Sequence, residues 1–375
     1  MKTYDVAVAG GGLIGASIAL ELACAGLKVA VFDARKPGRE ASWASAGMIS
    51  PSPESAAMRS LLPISLASVA AYPAFIRRVE ELSGRPVGYR KDGGLDILLT
   101  EEEMKKVPGT LALHGASGLQ AEALSGAQAY KLEPALTAEI RGAILRRDEA
   151  SLDNRAFTEG MLEAAQQKGV EIYSHNGAKS LWLEERTCKG LRLENGLVAA
   201  RWTVIAAGCF SAQIDGALTY APVVPAKGQM VALHCEDVQI NHDLWSNHMY
   251  LVPRNDGRII AGATVEYEGF DRTVTAAGMK GILAGAISLV PALAKARIEE
   301  TWAGLRPDTP DHLPILGPTD HEGLLVATGH FRSGILLAPI TAQLIREWVT
   351  TRKVSVDWTP FSPMRFQQRQ QSRIA

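Results

Sequence analysis

Residues 4–33 read YDVAVAGGGLIGASIALELACAGLKVAVFD, and this stretch decides the fold. Residues 4–9 form a short apolar run of β-branched and small side chains, the pattern of a buried strand. The run stops at Gly10, Gly11 and Gly12, with Gly15 close behind. Ile14, Ile18, Leu22 and Ala25 then recur at helical spacing, so a helix opens inside the glycine cluster and ends at Gly26. Val29–Phe32 predict a second strand, closed by Asp33. Strand, glycine turn, helix, strand and acid make a βαβ unit. In such a unit Gly10 permits the tight turn, Gly12 lets the backbone approach a pyrophosphate, and Gly15 lets the helix pack close to the strand. The helix N-terminus turns free N–H groups and a positive dipole end toward phosphates. Asp33, eighteen residues past Gly15, is positioned to accept ribose hydroxyls. An adenine dinucleotide is expected here.

The chain around this unit has 375 residues, long enough for two domains. With 47% hydrophobic and 21% charged residues it can bury a sizeable core, which excludes wholesale disorder. Its formal net charge of −1 supplies no global field for nucleic acid or anionic lipid. Cys24, Cys188, Cys209 and Cys235 include no Cys-x-x-Cys pair, and no His-Glu-x-x-His occurs, so no metal site is expected. Sparse thiols fit a reducing compartment. The first apolar stretch is broken by glycines and carries Asp5 and Glu21, so neither a leader nor a membrane span is expected and the protein is read as cytoplasmic.

Farther along, Gly93-Gly94 precede a strand LDILL, and Thr100 with Glu103 predicts a capping box. Asp153 or Asn154 can cap a helix bearing Phe157, Met161, Leu162 and Ala165. Strands VEIY, KSLWLE, KGLRLEN and WTVIAAG follow, the last ending in Ala206-Ala207-Gly208, which suits close backbone approach. From residue 221, PVVPAKGQMVAL, HMYLVPR and GRIIAGAT, with Asn255-Asp256-Gly257 between the last two, predict antiparallel hairpins. Helical spacing returns at 275–290 and at Ile335–Val349, and the polar tail 365–375 is expected to fray. The fold class is therefore mixed α/β: a Rossmann-like dinucleotide unit (1–85, 150–220 and 303–375) interleaved with a mostly antiparallel substrate unit (86–149 and 221–302).

Two arginines stand in apolar, glycine-flanked settings, Arg306 in WAGLRPDT and Arg332 in GHFRSGILLAP. A planar carboxylate ligand suits a guanidinium fork, and so does an internal ion pair with Asp308 or Asp311; both readings stand at this point. Ser333-Gly334 precede the last helix, which either presents its N-terminus to an electron-rich ligand or is simply capped by serine. His248 and Tyr250 alternate on one strand face and either cover a substrate or belong to the core.

These motifs, taken together and in this order with SAGMISP at 45–51 and VIAAGCFS at 204–211, resemble the D-amino-acid oxidase superfamily of flavoproteins, most closely the glycine oxidases of thiamine biosynthesis. The resemblance runs from residue 4 to about 350. It implies an FAD-binding domain of glutathione-reductase type, FAD held non-covalently, and oxidative deamination of glycine or another small amino acid. In that reaction the α-hydrogen leaves as hydride to flavin N5, an imine or oxo acid and ammonia form, and oxygen, the expected acceptor, becomes hydrogen peroxide. By resemblance Gly10, Gly12, Leu13, Ile14 and Gly15 meet the pyrophosphate, and Asp33 holds the ribose. Ala34, Ser42, Ala46, Gly47 and Met48 line more of the cofactor, Ala178 touches the adenine, and His330, Arg332, Ser333, Gly334, Ile335 and Leu336 wrap the ring. Arg306 clamps the substrate carboxylate, with Tyr250, Arg332 and His248 beside it, and no acid or base is assigned. Trp43 and Val265 depart from the family pattern and are expected to reshape the pocket. The same resemblance admits sarcosine, iminodiacetate or D-amino acids as substrates, dehydrogenase rather than oxidase chemistry, a flavin subunit of a larger complex, and a homo-oligomer, since relatives are often tetramers.

Overall fold

The computed structural model describes residues 2–52, 56–246 and 249–366. The opening unit forms as its sequence dictates: strand Lys2–Ala9, helix Leu13–Cys24 and strand Val29–Phe32, with Gly10 at φ 109° in the turn. The helix carries apolar or small side chains all round and is buried on nearly every side, as expected of one sandwiched between a sheet and other helices. Its Ile18, Leu20 and Leu22 are fully buried, each contributing about 1.5–3 kcal/mol by removal from water.

Among the described residues there are two eight-stranded sheets. In the first, Leu324–Thr328, Gly196–Ile205, Lys2–Ala9, Val29–Phe32 and Glu171–Tyr173 run parallel in that spatial order, Ile315–Pro318 pairs antiparallel outside Leu324–Thr328, and Ala178–Glu184 and Thr187–Leu193 add an antiparallel meander. One face is covered by helices Leu13–Cys24, Leu62–Ser83, Asn154–Gln167 and Gly334–Thr351. The second sheet runs Arg297–Asp308, Val224–His234, Arg258–Gly262, Tyr250–Pro253, Asp243–Trp245, Gly94–Leu98, Gly142–Arg146 and Ala121–Ser125. Its pairs are antiparallel except Asp243–Trp245 with Gly94–Leu98. Helix Ala276–Leu289 buries one of its faces through Ile282, Ala286 and Leu289. The opposite face meets the dinucleotide unit.

Several local expectations hold. The Thr100–Glu103 capping box forms, although it starts only the short helix Glu101–Met104. Asp153, not Asn154, caps its helix, accepting from the N–H groups of Arg155 and Ala156 at 2.9 and 3.0 Å. The Asn255–Gly257 turn joins an antiparallel pair, with Gly257 at φ 85°.

Three details go beyond the sequence reading. Segment 60–76 carries no charged residue, and the helix it begins, Leu62–Ser83, is long and apolar enough by length and composition to cross a membrane. Here it packs on the last helix, where the Ser68 and Tyr72 hydroxyls donate to the carbonyls of Leu336 and Ile335. The last helix is not capped by serine: Ser333 makes no side-chain capping bond. The tail is not frayed at its start, because the Arg365 guanidinium grips the Asp311 carboxylate with two bonds of 2.9 Å; residues 367–375 lie outside the described residues.

Candidate functional site

A cleft of about 880 Å³ runs between the first sheet's C-terminal edge and the free face of the second sheet. It brings together Gly10, Gly12, Leu13, Ile14, Asp33, Ala34, Ser42, Ala46, Gly47, Met48, Ala178, Tyr250, Arg306, His330, Arg332, Ser333, Gly334, Ile335 and Leu336. Gly15 is not on its wall. A Cβ there would lie 2.0 Å from the Gly10 carbonyl oxygen, so the residue serves the close packing of helix on turn. His248 lies outside the described residues.

At one end the backbone is arranged for an anion. The Ser42 hydroxyl accepts from the N–H of Leu13 at 2.9 Å. Among the described residues no acceptor meets the N–H groups of Gly12, Ile14 and Gly15, and the helix has no acid in its first turn. Orphan donors at the positive end of a twelve-residue helix fit a pyrophosphate. Asp33 accepts from the N–H groups of Gly11 and Arg35 at 2.7 and 2.8 Å, which fixes its carboxylate at the adjoining corner of the cleft with lone pairs to spare. A Cβ on Gly10 would sit 2.4 Å from Ala206 O, so the Ala206–Gly208 segment does approach closely, as its small residues predict.

At the other end the second sheet supplies side chains by simple alternation. Trp302, Gly304 and Arg306 share one face of their strand, opposite Met230, Gly228 and Ala226 of the neighbour. Gly228 is required: a Cβ there would lie 2.3 Å from Arg306 Nη1, so the guanidinium lies flat across a bare backbone. Arg306 donates to the carbonyl of Thr264 at 3.1 Å. The acids that could have neutralised it are engaged elsewhere. Asp308 is bonded to His312, Tyr267 and its neighbour's N–H, and Asp311 to Arg365. Among the described residues no carboxylate pairs with Arg306. The ion-pair reading is thereby removed.

Tyr250 crosses from the adjacent hairpin, its hydroxyl 3.3 Å from Met230 Sδ and its ring edge-on to Trp245. Burial pushes its phenol pKa up, opposed by the charges of Arg306 and Arg332, so it is a neutral donor at ordinary pH. His330 is 3% exposed, and burial drives its pKa down to about 3. Its ring bonds to Thr341 Oγ1 at 3.0 Å, leaving only a neutral imidazole with its backbone toward the cleft. The last helix starts at Gly334 with no side-chain cap and no acid in its first turn, so its positive end faces the cleft unneutralised.

Sequence reasoning missed Gly228, Met230 and Trp245, all on the cleft wall. The alternation Gly228–Met230 was a usable signal, since it continues the WAGLR face. Phe331, inside the segment 330–336, stands at φ 47° and its N–H donates to the carbonyl of Pro307 at 2.9 Å. Trp43 is not on the cleft wall. It stacks edge-on with Trp302 under the Arg155 guanidinium, away from the cleft wall. Val265 does line it, and is 40% exposed.

Residues 5–348 match the family described as FAD dependent oxidoreductase. The chain is 34% identical over 369 residues to the bifunctional protein ThiO/ThiG of Trichormus variabilis, covering 97% of this chain and 55% of that protein. It thus spans about half the length of such curated relatives. It is 32% identical to the glycine oxidase of Geobacillus kaustophilus, covering 96% of each. The crystal structure of glycine oxidase from the same organism superposes with a TM-score of 0.93, covering 97% of this chain and 99% of the other. Iminodiacetate oxidase from Chelativorans superposes at 0.86 with 28% identity, over 96% of this chain and 98% of the other.

Proposed function

Because the chain belongs to the FAD dependent oxidoreductase family, we propose that it oxidises glycine or a comparably small amino acid, giving an imine or oxo acid, ammonia and hydrogen peroxide. The observation that carries this reading is Arg306, a guanidinium laid flat over Gly228 in the cleft with no carboxylate of its own. A substrate carboxylate completes it.

FAD, when bound, supplies the electron sink for the α-hydrogen and the route to oxygen. The chain's own residues hold and orient. Gly12 and Ile14 offer N–H groups to the pyrophosphate, while Gly10 and Leu13, whose N–H groups donate to Phe32 O and the Ser42 hydroxyl, shape the turn around it; Asp33 takes the ribose, Ala34 and Ala178 flank the adenosine, and segments 42–48 and 330–336 receive the ring. Arg306 binds the carboxylate by its fork, Tyr250 donates to it from above, Arg332 adds a second cation, and His248 stands at the edge. Neither His330, neutral and tied to Thr341, nor Tyr250, held as phenol, is suited to take a proton, so positioning is the chain's principal contribution. The presence of two separate sheets supports a division into a cofactor unit and a substrate unit, and strand Arg297–Asp308, which crosses the expected boundary at 303, lies in the second sheet. A cytoplasmic role in thiamine biosynthesis, with a small amino acid as substrate, completes the proposal.

A second reading takes N-alkylated amino acids such as sarcosine or iminodiacetate, and Val265 favours it, since a short side chain on the cleft wall leaves room for a substituent on nitrogen. An anaerobic experiment separates the readings. The visible spectrum of the purified chain is followed while glycine, sarcosine, iminodiacetate and D-alanine are added singly. Bleaching by glycine at the lowest concentration supports the first reading, and preference for an N-alkyl substrate supports the second. Persistence of the bands with all four defeats both.

A further inference from the structure

Loop 42–48 is expected to line the cofactor, yet its shape is set by side chains that never reach the cleft. Asn154 Nδ2 donates to the carbonyls of Ser42 and Trp43 at 2.9 and 2.8 Å. Trp302 Nε1 donates to Ala44 O at 3.0 Å, and Arg254 Nη2 donates to Ala46 O at 2.8 Å. The N–H of Leu152 takes Gly47 O at 3.0 Å. In a trans peptide the N–H of one residue points opposite to the carbonyl of the residue before. Carbonyls drawn outward by Trp302 and Arg254 therefore turn the N–H groups of Ser45 and Gly47 the other way, into the cleft. Among the described residues no acceptor meets the N–H groups of Ser45, Ala46 or Gly47.

Arg254 is the costly member of this set. It is 9% exposed, and its second acceptor is the side-chain oxygen of Asn154, at 3.0 Å. Its hydrogen bonds go to a carbonyl and an amide, with Asp153 and Asp243 near enough to act on its charge, so its desolvation is only partly offset. Arg254 also directly follows the strand Tyr250–Pro253, so the strand that brings Tyr250 to the substrate end also sets the loop under the cofactor.

We propose that Arg254, supported by Asn154 and Trp302, is a positioning residue for the flavin: it touches neither cofactor nor substrate, but holds the N–H groups of residues 45–47 toward the ring and fixes their register against Tyr250 and Arg306. This rests on the FAD reading above.

The test compares wild type with Arg254→Met, Arg254→Lys and Trp302→Phe, the last deleting one N–H while keeping the ring. FAD affinity is measured by fluorescence quenching, the bound flavin's visible band shape is recorded, and thermal midpoints are taken for apo and holo forms. Arg254→Met is expected to weaken FAD binding at least about 30-fold and blur the band, with apo midpoints close to wild type. Trp302→Phe is expected to weaken binding several-fold, and Arg254→Lys to restore part of the loss. FAD affinity and band shape unchanged in the variants overturn the proposal. So does an apo midpoint that falls as far as the holo one, because that marks a purely structural residue. Should Arg254→Met fail to fold, Trp302→Phe decides. A wild type that binds no FAD defeats the cofactor reading itself, a distinct outcome.

Discussion

Arg306 is open to a substrate carboxylate because three neighbours leave it so: Gly228 clears the space beneath it, and Asp308 and Asp311 are satisfied elsewhere. Arg306→Ala is predicted to raise KM for glycine at least about 30-fold, the equivalent of ~2 kcal/mol of charged hydrogen bonding, while the flavin spectrum stays that of the bound cofactor. Retained glycine affinity in steady-state kinetics would refute the assignment. Gly228→Ala is predicted to act through Arg306, raising KM in the same direction with FAD affinity unchanged. His330 gives a prediction about pH. Its folded pKa of about 3 lies below the usual ~6.5 of an unfolded histidine, so the folded state disfavours the proton. The stability tied to its neutrality is complete above about pH 6.5 and is lost as pH falls toward 3, by up to about 1.4 kcal/mol for each tenfold rise in proton concentration. His330→Gln is expected to lower the thermal midpoint at pH 7.5 yet flatten its decline between pH 6.5 and 4. An equally steep decline in scanning calorimetry would mean that other groups drive acid unfolding.

At the scale of elements, the strap 264–275 between the hairpin and helix Ala276–Leu289 bears directly on the substrate end, because Thr264 supplies the carbonyl to which Arg306 donates. The strap is fastened by Lys227, whose side chain is fully covered and whose ammonium meets Glu266 at 2.9 Å, Asp271 at 3.5 Å and Glu268. It is fastened again by Phe270 stacked on Phe210 and by Arg272 paired with Glu40. Lys227→Met leaves three carboxylates without their shared cation, and is predicted to raise KM for glycine several-fold through the loosened strap. An unchanged KM would show that the strap does not govern Arg306. Helix Leu62–Ser83 offers a stability test. Tyr72→Phe removes one buried hydrogen bond to the first turn of the last helix and should cost about 1 kcal/mol in a denaturant titration. That helix was not legible in the sequence. Pro63 and Pro73 argue against a helix, but the first falls at its opening turn, and the second is tolerated where Tyr72 and Phe75 pack on Phe157. The hairpin at 250–262 was legible, because a turn signal and period-two alternation agreed there.

Over the whole molecule, local signals were legible wherever a residue's role depends on its chain neighbours. The glycine turn, the acid at the end of the second strand and the hairpin around Asn255–Gly257 all belong to this kind. What could not be read were roles created by distant packing. Asn154 looked like a cap and serves a loop more than a hundred positions away. Trp43 looked like a pocket residue and packs on Trp302. Asp308 and Asp311 were candidate partners for Arg306 until their own partners were seen.

Glu21 has a further place in this larger arrangement. It lies 7% exposed inside helix Leu13–Cys24, where Arg78 and Arg346 both reach it. One buried anion thus ties together three helices, two of which direct their positive ends into the same cleft. The first of these ends lies where the phosphates are expected. The second, eighteen residues long and flanked by Arg332, lies where the ring is expected, and this has a thermodynamic consequence. A ligand that gains electrons at that end becomes more anionic, so the protein must hold its electron-rich form more tightly than its electron-poor form. Around a closed cycle, the ratio of those two dissociation constants is a displacement of the midpoint potential, upward by about 30 mV for each tenfold in a two-electron couple. Redox titration of the bound and free cofactor against a reference dye measures that ratio directly, and a bound potential at or below the free one would mean that the second helix end does not face the ring.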